Sequence, residues 1–267
     1  MLPLFLFGMS CAEEELVVVV EPVIIGDGYK GILIQSGNFA MGCFSERESD
    51  CNDNEKPVHN VTISQDFYLM ESEVTQGLYK SVMGSNPSGF SSCGLDCPVE
   101  RVSWFDAVKF ANALSKKEDL EKCYQIGKSS VSWSNKDCNG WRLPTEAEWK
   151  YASHGKESFK YAGSNDAKTV SWYDENSGSK THAVCSLERN GHELCDMSGN
   201  VWEWTWDWYG DYTTESQMDP TGTSGSYRTI CGGSWGLNAK YLRISYRGYY
   251  SPASTYNGIG FRLVRIP

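Results

Sequence analysis

Ten cysteines are the residues of this 267-residue chain whose type and spacing most readily carry chemistry. Eight fall into near neighbours: Cys43 with Cys51, Cys93 with Cys97, Cys123 with Cys138, and Cys185 with Cys195. Each pair brackets a stretch bearing Gly, Ser or Asn, as a loop staple does, so the pairing expected from proximity is four disulfides. Metal binding is the rival use. Cys93-x-x-x-Cys97 is its best candidate, but no second such pair and no His accompanies it. The four His (His59, His154, His182, His192) stand at no ligand spacing, and each reads as a surface or loop residue. Cys231 is left over and reads as a small buried residue.

Disulfides form in oxidising compartments, so the chain is expected to be exported. The N-terminus agrees. A short apolar stretch runs from Leu2 to Phe7 and ends in Gly8-Met-Ser-Cys11, like the close of a secretory signal. Cys11 resembles the lipid-accepting Cys of a bacterial lipoprotein. Residues 1–11 are therefore expected to be a signal with a lipidation site, and 12–29 a tether that ends in a first strand. The other reading is a plain cleaved signal with a free Cys.

A second kind of chemistry is contact. Five Tyr (Tyr241, Tyr246, Tyr249, Tyr250, Tyr256) crowd the C-terminal segment among Gly and Ser. Tyr offers a large amphipathic surface with two χ angles to freeze, and Gly and Ser let a loop fit around it. Core packing is the plainer use. Tyr246 lies on an alternating Leu242–Arg247 stretch and can face inward as a strand residue. Tyr249, Tyr250 and Tyr256 sit among Gly, Ser, Pro and Asn, where burial is harder, and are expected at a binding surface.

The elements that position these residues are short. Residues 29–43 read as strand, turn, strand, residues 44–56 as an acidic loop, and 58–74 as two further strands. Thr75 caps a helix through Met83. Ser103 with Asp106 caps a second, whose Trp104, Ala107, Val108, Ala111 and Leu114 recur at helical spacing. Thr145 and Glu148 form a capping box for a third. Beyond Gly155 the chain is a run of Gly, Ser, Asn, Asp and aromatics. The expected fold class is therefore α+β, one loop-rich domain over 30–267 with two or three helices.

Composition sets outer limits. The formal net charge is -10 and the pI about 5.0, so the basic face that nucleic acids or anionic membranes require is missing. No apolar run reaches the roughly 18 residues of a membrane span, so membrane attachment is expected only through a lipid.

The motifs narrow the reading. In order they are Phe39-Ala-Met-Gly42, Glu55-Lys-Pro-Val-His59, Glu73-Val-Thr75, Val102-Ser-Trp-Phe-Asp-Ala107, Arg142-Leu-Pro-Thr-Glu-Ala-Glu-Trp149, Asp196-Met-Ser-Gly-Asn-Val-Trp-Glu-Trp204, Gly232-Gly-Ser-Trp235 and Gly260-Phe-Arg-Leu-Val264. Together they resemble the formylglycine-generating-enzyme (sulfatase-modifying factor) family. That resemblance implies a C-type lectin fold over about residues 30–267.

A fold does not carry its activity with it. The family's oxidases hold copper with a Cys pair just after the Gly-Gly-Ser motif and convert a sulfatase Cys to formylglycine. Here residues 232–243 contain no Cys, and Cys231 lies before the motif. One thiolate does not make a two-thiolate copper site. The expectation is a non-enzyme that requires no cofactor, with the sulfatase-directed oxidase as the alternative. The resemblance also aligns Asp196, Gly199, Val201 and Glu203 with a structural calcium site, a set of oxygens that suits calcium. Simple core packing by Glu203, Trp202 and Trp204 is the other reading of that run.

A narrower resemblance lies in the last thirty residues. A frame of Asn238-Ala-Lys, Leu242-Arg-Ile-Ser, Arg247, Ser251-Pro252 and Ile259-Gly-Phe-Arg262 holds the odd residues Gly236, Leu237, Tyr241, Tyr246, Gly248, Tyr249, Tyr250, Ser254, Thr255, Tyr256 and Gly258. This looks like the variable region of diversity-generating retroelement proteins, in which template adenines are miscopied. Asn codons there become Tyr, Ser, Gly, Leu or Thr. The resemblance implies a surface-displayed protein whose segment binds a protein or other surface ligand. Trp235, with Trp206 or Trp208, is expected to border that face.

Overall fold

The computed structural model describes residues 23–25, 29–45, 48–128 and 130–267. Cys11 and the expected signal lie outside those residues. The alternation of Gly31-Ile-Leu-Ile34 makes β2 (Tyr29–Ile34), which pairs antiparallel with β5 (Phe67–Met70) so that Ile32 faces Leu69 and Ile34 faces Phe67. β1 (Val23–Ile25) pairs with the outer edge of β2, and β13 (Val264–Arg265) with β5. The first strand expected at the end of the tether thus belongs to the sheet, and the folded domain begins before residue 30.

Beside it, β3 (Gly37–Met41), β4 (His59–Ile63) and β9 (Gln217–Met218) form a three-stranded sheet, and β6 (Gln125–Ile126) and β7 (Val131–Ser132) a small hairpin. The fourth sheet carries the C-terminal segment. Its order is β11 (Gly248–Tyr250), β10 (Arg228–Cys231), β8 (Trp202–Trp208) and β12 (Ile259–Gly260). β11 is therefore an edge strand, while β8 is central and buried on both faces.

The capping signals produce the helices they announce. Thr75 accepts from the Leu78 amide at the start of α1 (Gln76–Met83). Ser103 and Asp106 close a capping box on α2 (Trp104–Lys117), and Thr145 and Glu148 do so on α3 (Glu146–His154). A fourth helix, the single turn α4 (Ala167–Val170), exceeds the two or three expected. Asp166 caps it, and four residues are too few for a sequence period to register.

All four neighbour disulfides are present: Cys43–Cys51, Cys93–Cys97, Cys123–Cys138 and Cys185–Cys195. The core is aromatic. Trp104, Trp141, Trp149 and Trp204 are fully buried, and the N–H of each of these four has a partner: Trp204 donates to the Val102 carbonyl at 3.0 Å, Trp104 to that of Thr205 at 2.9 Å, and Trp141 and Trp149 to Glu118 and Glu203 at 2.8 Å. Partners of this kind let a core hold these four indoles without stranding their donors. Among the described residues no helix is long and apolar enough to cross a membrane.

Candidate binding face and its frame

The C-terminal segment divides by burial. Leu242, Arg243, Ile244, Ser245, Arg247, Ile259, Phe261 and Arg262, all frame residues, are buried. None of the odd residues is buried. Gly236, Tyr249, Tyr250, Thr255 and Tyr256 are exposed, and Leu237, Tyr241, Tyr246, Gly248, Ser254 and Gly258 are half-buried. Gly260 of the frame is buried as well, while Asn238 to Lys240 and Ser251-Pro252 lie at or near the surface.

Three buried arginines fix the frame. Arg243 reaches Glu55 with both terminal nitrogens, at 2.8 and 2.7 Å, and Glu48 at 2.7 Å. Arg247 grips Glu146 at 2.6 and 2.8 Å and donates to the Asn54 and Gly210 carbonyls. Arg262 grips Glu203 at 2.7 and 2.7 Å. Each is a planar fork on a carboxylate, the geometry that gives two directed charge-assisted bonds at once. From α3, Lys150 Nζ donates to the Ile244 and Tyr246 carbonyls. A segment held from behind in this way needs little from its outward side chains to keep its shape.

The outward side chains meet one another. Tyr250 lies against Tyr256 at 5.1 Å between ring centroids, and Tyr249 lies 4.4 Å from Tyr209 and 5.2 Å from Tyr227. Tyr246 differs. It packs against Trp202 at 5.9 Å and Tyr241 at 5.1 Å, and burial pushes its hydroxyl up to about 12. Trp235 is half-buried, with its N–H donating to Asn257 and its edge on Phe90. Tyr209 and Tyr227 lie outside the segment, and only their exposure and ring contacts place them on this face.

One of the two alternatives for a bordering tryptophan needs correction, while half-buried Trp208 lines the cleft beside the face. Trp206 is a core residue, stacked on Tyr124 at 5.0 Å and tilted on Trp104 at 5.2 Å. The Arg228 guanidinium covers Trp208 at 3.6 Å. Residues Trp202 to Asp207 of β8 are buried, so Trp206 offers no indole to the face. The histidines also differ from a uniform surface reading. His59 is buried in β4 beside Tyr212, and His154 ends α3. His182 stacks on Trp172 at 3.8 Å. His192 is held down to about 4 by burial and by Lys156.

At the run aligned with calcium, the two ends differ. Asp196 is buried; its Oδ2 accepts from the Cys185 amide and its Oδ1 has no hydrogen-bond partner. Burial pushes this carboxyl up to about 6. That unpartnered oxygen suits a hard cation. Glu203 does not, because Arg262 occupies both of its oxygens and Trp149 donates to one at 2.8 Å. Gly199 and Val201 stand between them as backbone positions, Gly199 with φ 85.

Cys231, buried on β10, is the one cysteine outside a disulfide among the described residues. Burial raises its thiol to about 12, so it is a poor thiolate at neutral pH.

A cleft of about 530 Å³ opens beside the face, lined by Glu146, Asp207, Tyr212, Thr221, Ser224 and Arg247 among others. Asp207 ties the 219–224 loop to α3: its oxygens accept from the Glu146 and Gly222 amides, each at 2.7 Å. Burial, and then the charge of Glu146, push Asp207 up to about 7. The folded state therefore binds this proton more tightly than the unfolded chain, whose Asp titrates near 4. The stability contributed by Asp207 falls as pH rises from about 4 through 7 and levels off above. Asp207→Asn should flatten that fall, read as urea midpoints from pH 4 to 8. An unchanged slope would contradict the assignment.

The lectin-like scaffold and its tyrosine face describe a binding protein in architecture. The chain belongs to the sulfatase-modifying factor enzyme 1-like family, whose domain it matches over residues 23–267. It has the C-type lectin fold of the formylglycine-generating-enzyme type. It is similar to Treponema denticola variable protein 1, with 35% identity and a TM-score of 0.81 over 92% of this chain and 99% of that one. It is 36% identical to the chaperone protein LppX of Paenibacillus barcinonensis over 84% of this chain and 86% of that protein. The formylglycine-generating enzyme of Streptomyces coelicolor is 31% identical over 62% of this chain and only 51% of the enzyme.

Proposed function

We propose that the chain is a non-catalytic ligand-binding protein whose C-terminal face is diversified in sequence by a retroelement while its frame stays fixed. The observation that carries this is the division by burial. The residues of the frame that anchor the segment are buried and ion-paired, and every odd residue is left at least partly exposed. The likeness to Treponema denticola variable protein 1 supports the same reading. The partner is a protein or other surface ligand; the net charge of -10 argues against nucleic acid.

Oxidation of a sulfatase Cys is the rival. The copper chemistry of the family needs two thiolates, and this chain places one buried, high-pKa thiol near the Gly-Gly-Ser motif. Incubation with a Cys-x-Pro-x-Arg peptide, copper and oxygen should yield no formylglycine by mass spectrometry. Turnover of the peptide would overturn the non-catalytic reading.

Display at the cell surface follows from Cys11 as a lipid acceptor. Cells fed a radioactive fatty acid should label the wild-type protein and not Cys11→Ser. Equal labelling of the two, or none of either, would remove the anchor.

A further inference from the structure

Tyr209 and Tyr227 belong to neither the frame nor the odd residues. Tyr227 precedes β10 and is 47% exposed; Tyr209 follows β8 and is half-buried. Their rings flank that of Tyr249, which is 49% exposed, with interplanar angles of 42° and 49°. The end of β8, the approach to β10 and the edge strand β11 thus contribute one ring each to a shelf. Two of the three rings come from outside the segment.

These two are held by the scaffold. The Tyr209 amide donates to the Tyr227 carbonyl at 2.8 Å, and the Tyr209 hydroxyl accepts from Asn54 Nδ2. Arg247, locked on Glu146, backs the Tyr209 ring at 4.7 Å. Among the described residues no Lys or Arg stacks on Tyr227 or Tyr249. Their π faces are therefore electronegative and unmatched, in a chain of net charge -10. Splayed rings offer no single flat platform for a sugar ring. The exposed outer faces of Tyr227 and Tyr249 do suit a planar guanidinium, which stacks on aromatics and is enriched at protein interfaces.

We propose that Tyr209 and Tyr227 are the constant anchors of the binding face, shared by every sequence variant of the C-terminal segment, and that they receive an arginine-bearing loop of a protein partner. The inference rests on the binding reading above. It adds that part of the affinity does not vary with the segment. A diversified face gains from such a constant part, because each new sequence then starts from some contact rather than none.

The test uses the full chain in a display library, with codons 236, 237, 241, 249, 250, 254 and 256 randomised and Tyr209 and Tyr227 left intact. Hen egg-white lysozyme, a small basic protein, is the target. In most independent clones Tyr227→Ala should weaken binding about tenfold or more, as loss of an aromatic anchor does. Tyr227→Phe should keep binding within about threefold, since the ring and not the hydroxyl makes the contact. Lysozyme with its arginines blocked by phenylglyoxal should bind those clones about tenfold more weakly. Tyr227→Ala should not move the melting temperature, which separates contact from folding; Tyr209→Ala is the companion variant. Clones indifferent to Tyr227→Ala would overturn the anchor, and clones indifferent to arginine blocking would overturn the partner chemistry. A library that yields no lysozyme binder at all would instead count against the binding face itself.

Discussion

Arg262→Ala should destabilise the domain by about 3–5 kcal/mol, the range for removing one partner of a buried ion pair. Both Arg262 and Glu203 are fully buried, and the pair is bidentate. The guanidinium also donates to the Met70, Glu71 and Cys195 carbonyls, so three chain segments meet on it. The surroundings make its loss worse. Glu73 is buried with neither oxygen hydrogen-bonded, and burial, then Asp196 and Glu203, hold its carboxyl well above the usual range. Without Arg262, three buried acids lose the one buried cation that acts on all of them. For a domain of this size each kcal/mol moves the melting temperature by about 2–4 °C, so a fall of roughly 6–20 °C is expected. Arg262→Lys should recover part of it, because a point charge replaces the fork. A variant that melts with the wild type would show that the pair does not hold the segment.

The tyrosine face predicts the opposite behaviour. Tyr249→Ala, Tyr250→Ala and Tyr256→Ala should each weaken binding to a selected target by about 1–3 kcal/mol, and the triple variant should bind at least a hundredfold more weakly, an order-of-magnitude expectation for clustered hot spots. The melting temperature of each single variant should stay within about 2 °C, and that of the triple variant within about 6 °C, since exposed substitutions rarely exceed half a kcal/mol each. Tyr246→Ala is the contrast. That ring packs on Trp202 and Tyr241, so its loss should lower stability together with any binding. If the triple variant melts early, the three rings are core residues. If it binds unchanged, the face lies elsewhere. Isothermal titration and thermal melts on the same samples read both quantities.

Much of this arrangement is visible in the sequence because it is local. The cysteine pairs close loops of 4 to 15 residues, and the capping boxes span three. Short separations leave few rival partners, so residue type and spacing suffice. The frame of the C-terminal segment is legible as a pattern, but its anchors are not. Arg243, Arg247 and Arg262 find Glu55, Glu146 and Glu203 at separations of 188, 101 and 59 residues. Nothing in the local sequence selects those acids from the 34 present. Tyr209 and Tyr227 escape notice for the same reason, as each is one aromatic among many until strand pairing brings it beside Tyr249. Trp206 shows the converse. An aromatic in a motif looks available for contact, and only the packing of β8 between two layers shows that it is buried.

The division between a fixed frame and a free face has its most direct test in the gene. Deep sequencing of the codons for residues 236–262 across many cells of one population should show substitutions confined to the odd positions, chief among them Tyr241, Tyr249, Tyr250 and Tyr256. Codons for Arg243, Arg247 and Arg262 should be invariant, because each anchors a buried carboxylate. Substitutions spread evenly over frame and face, or concentrated on the arginines, would contradict the account.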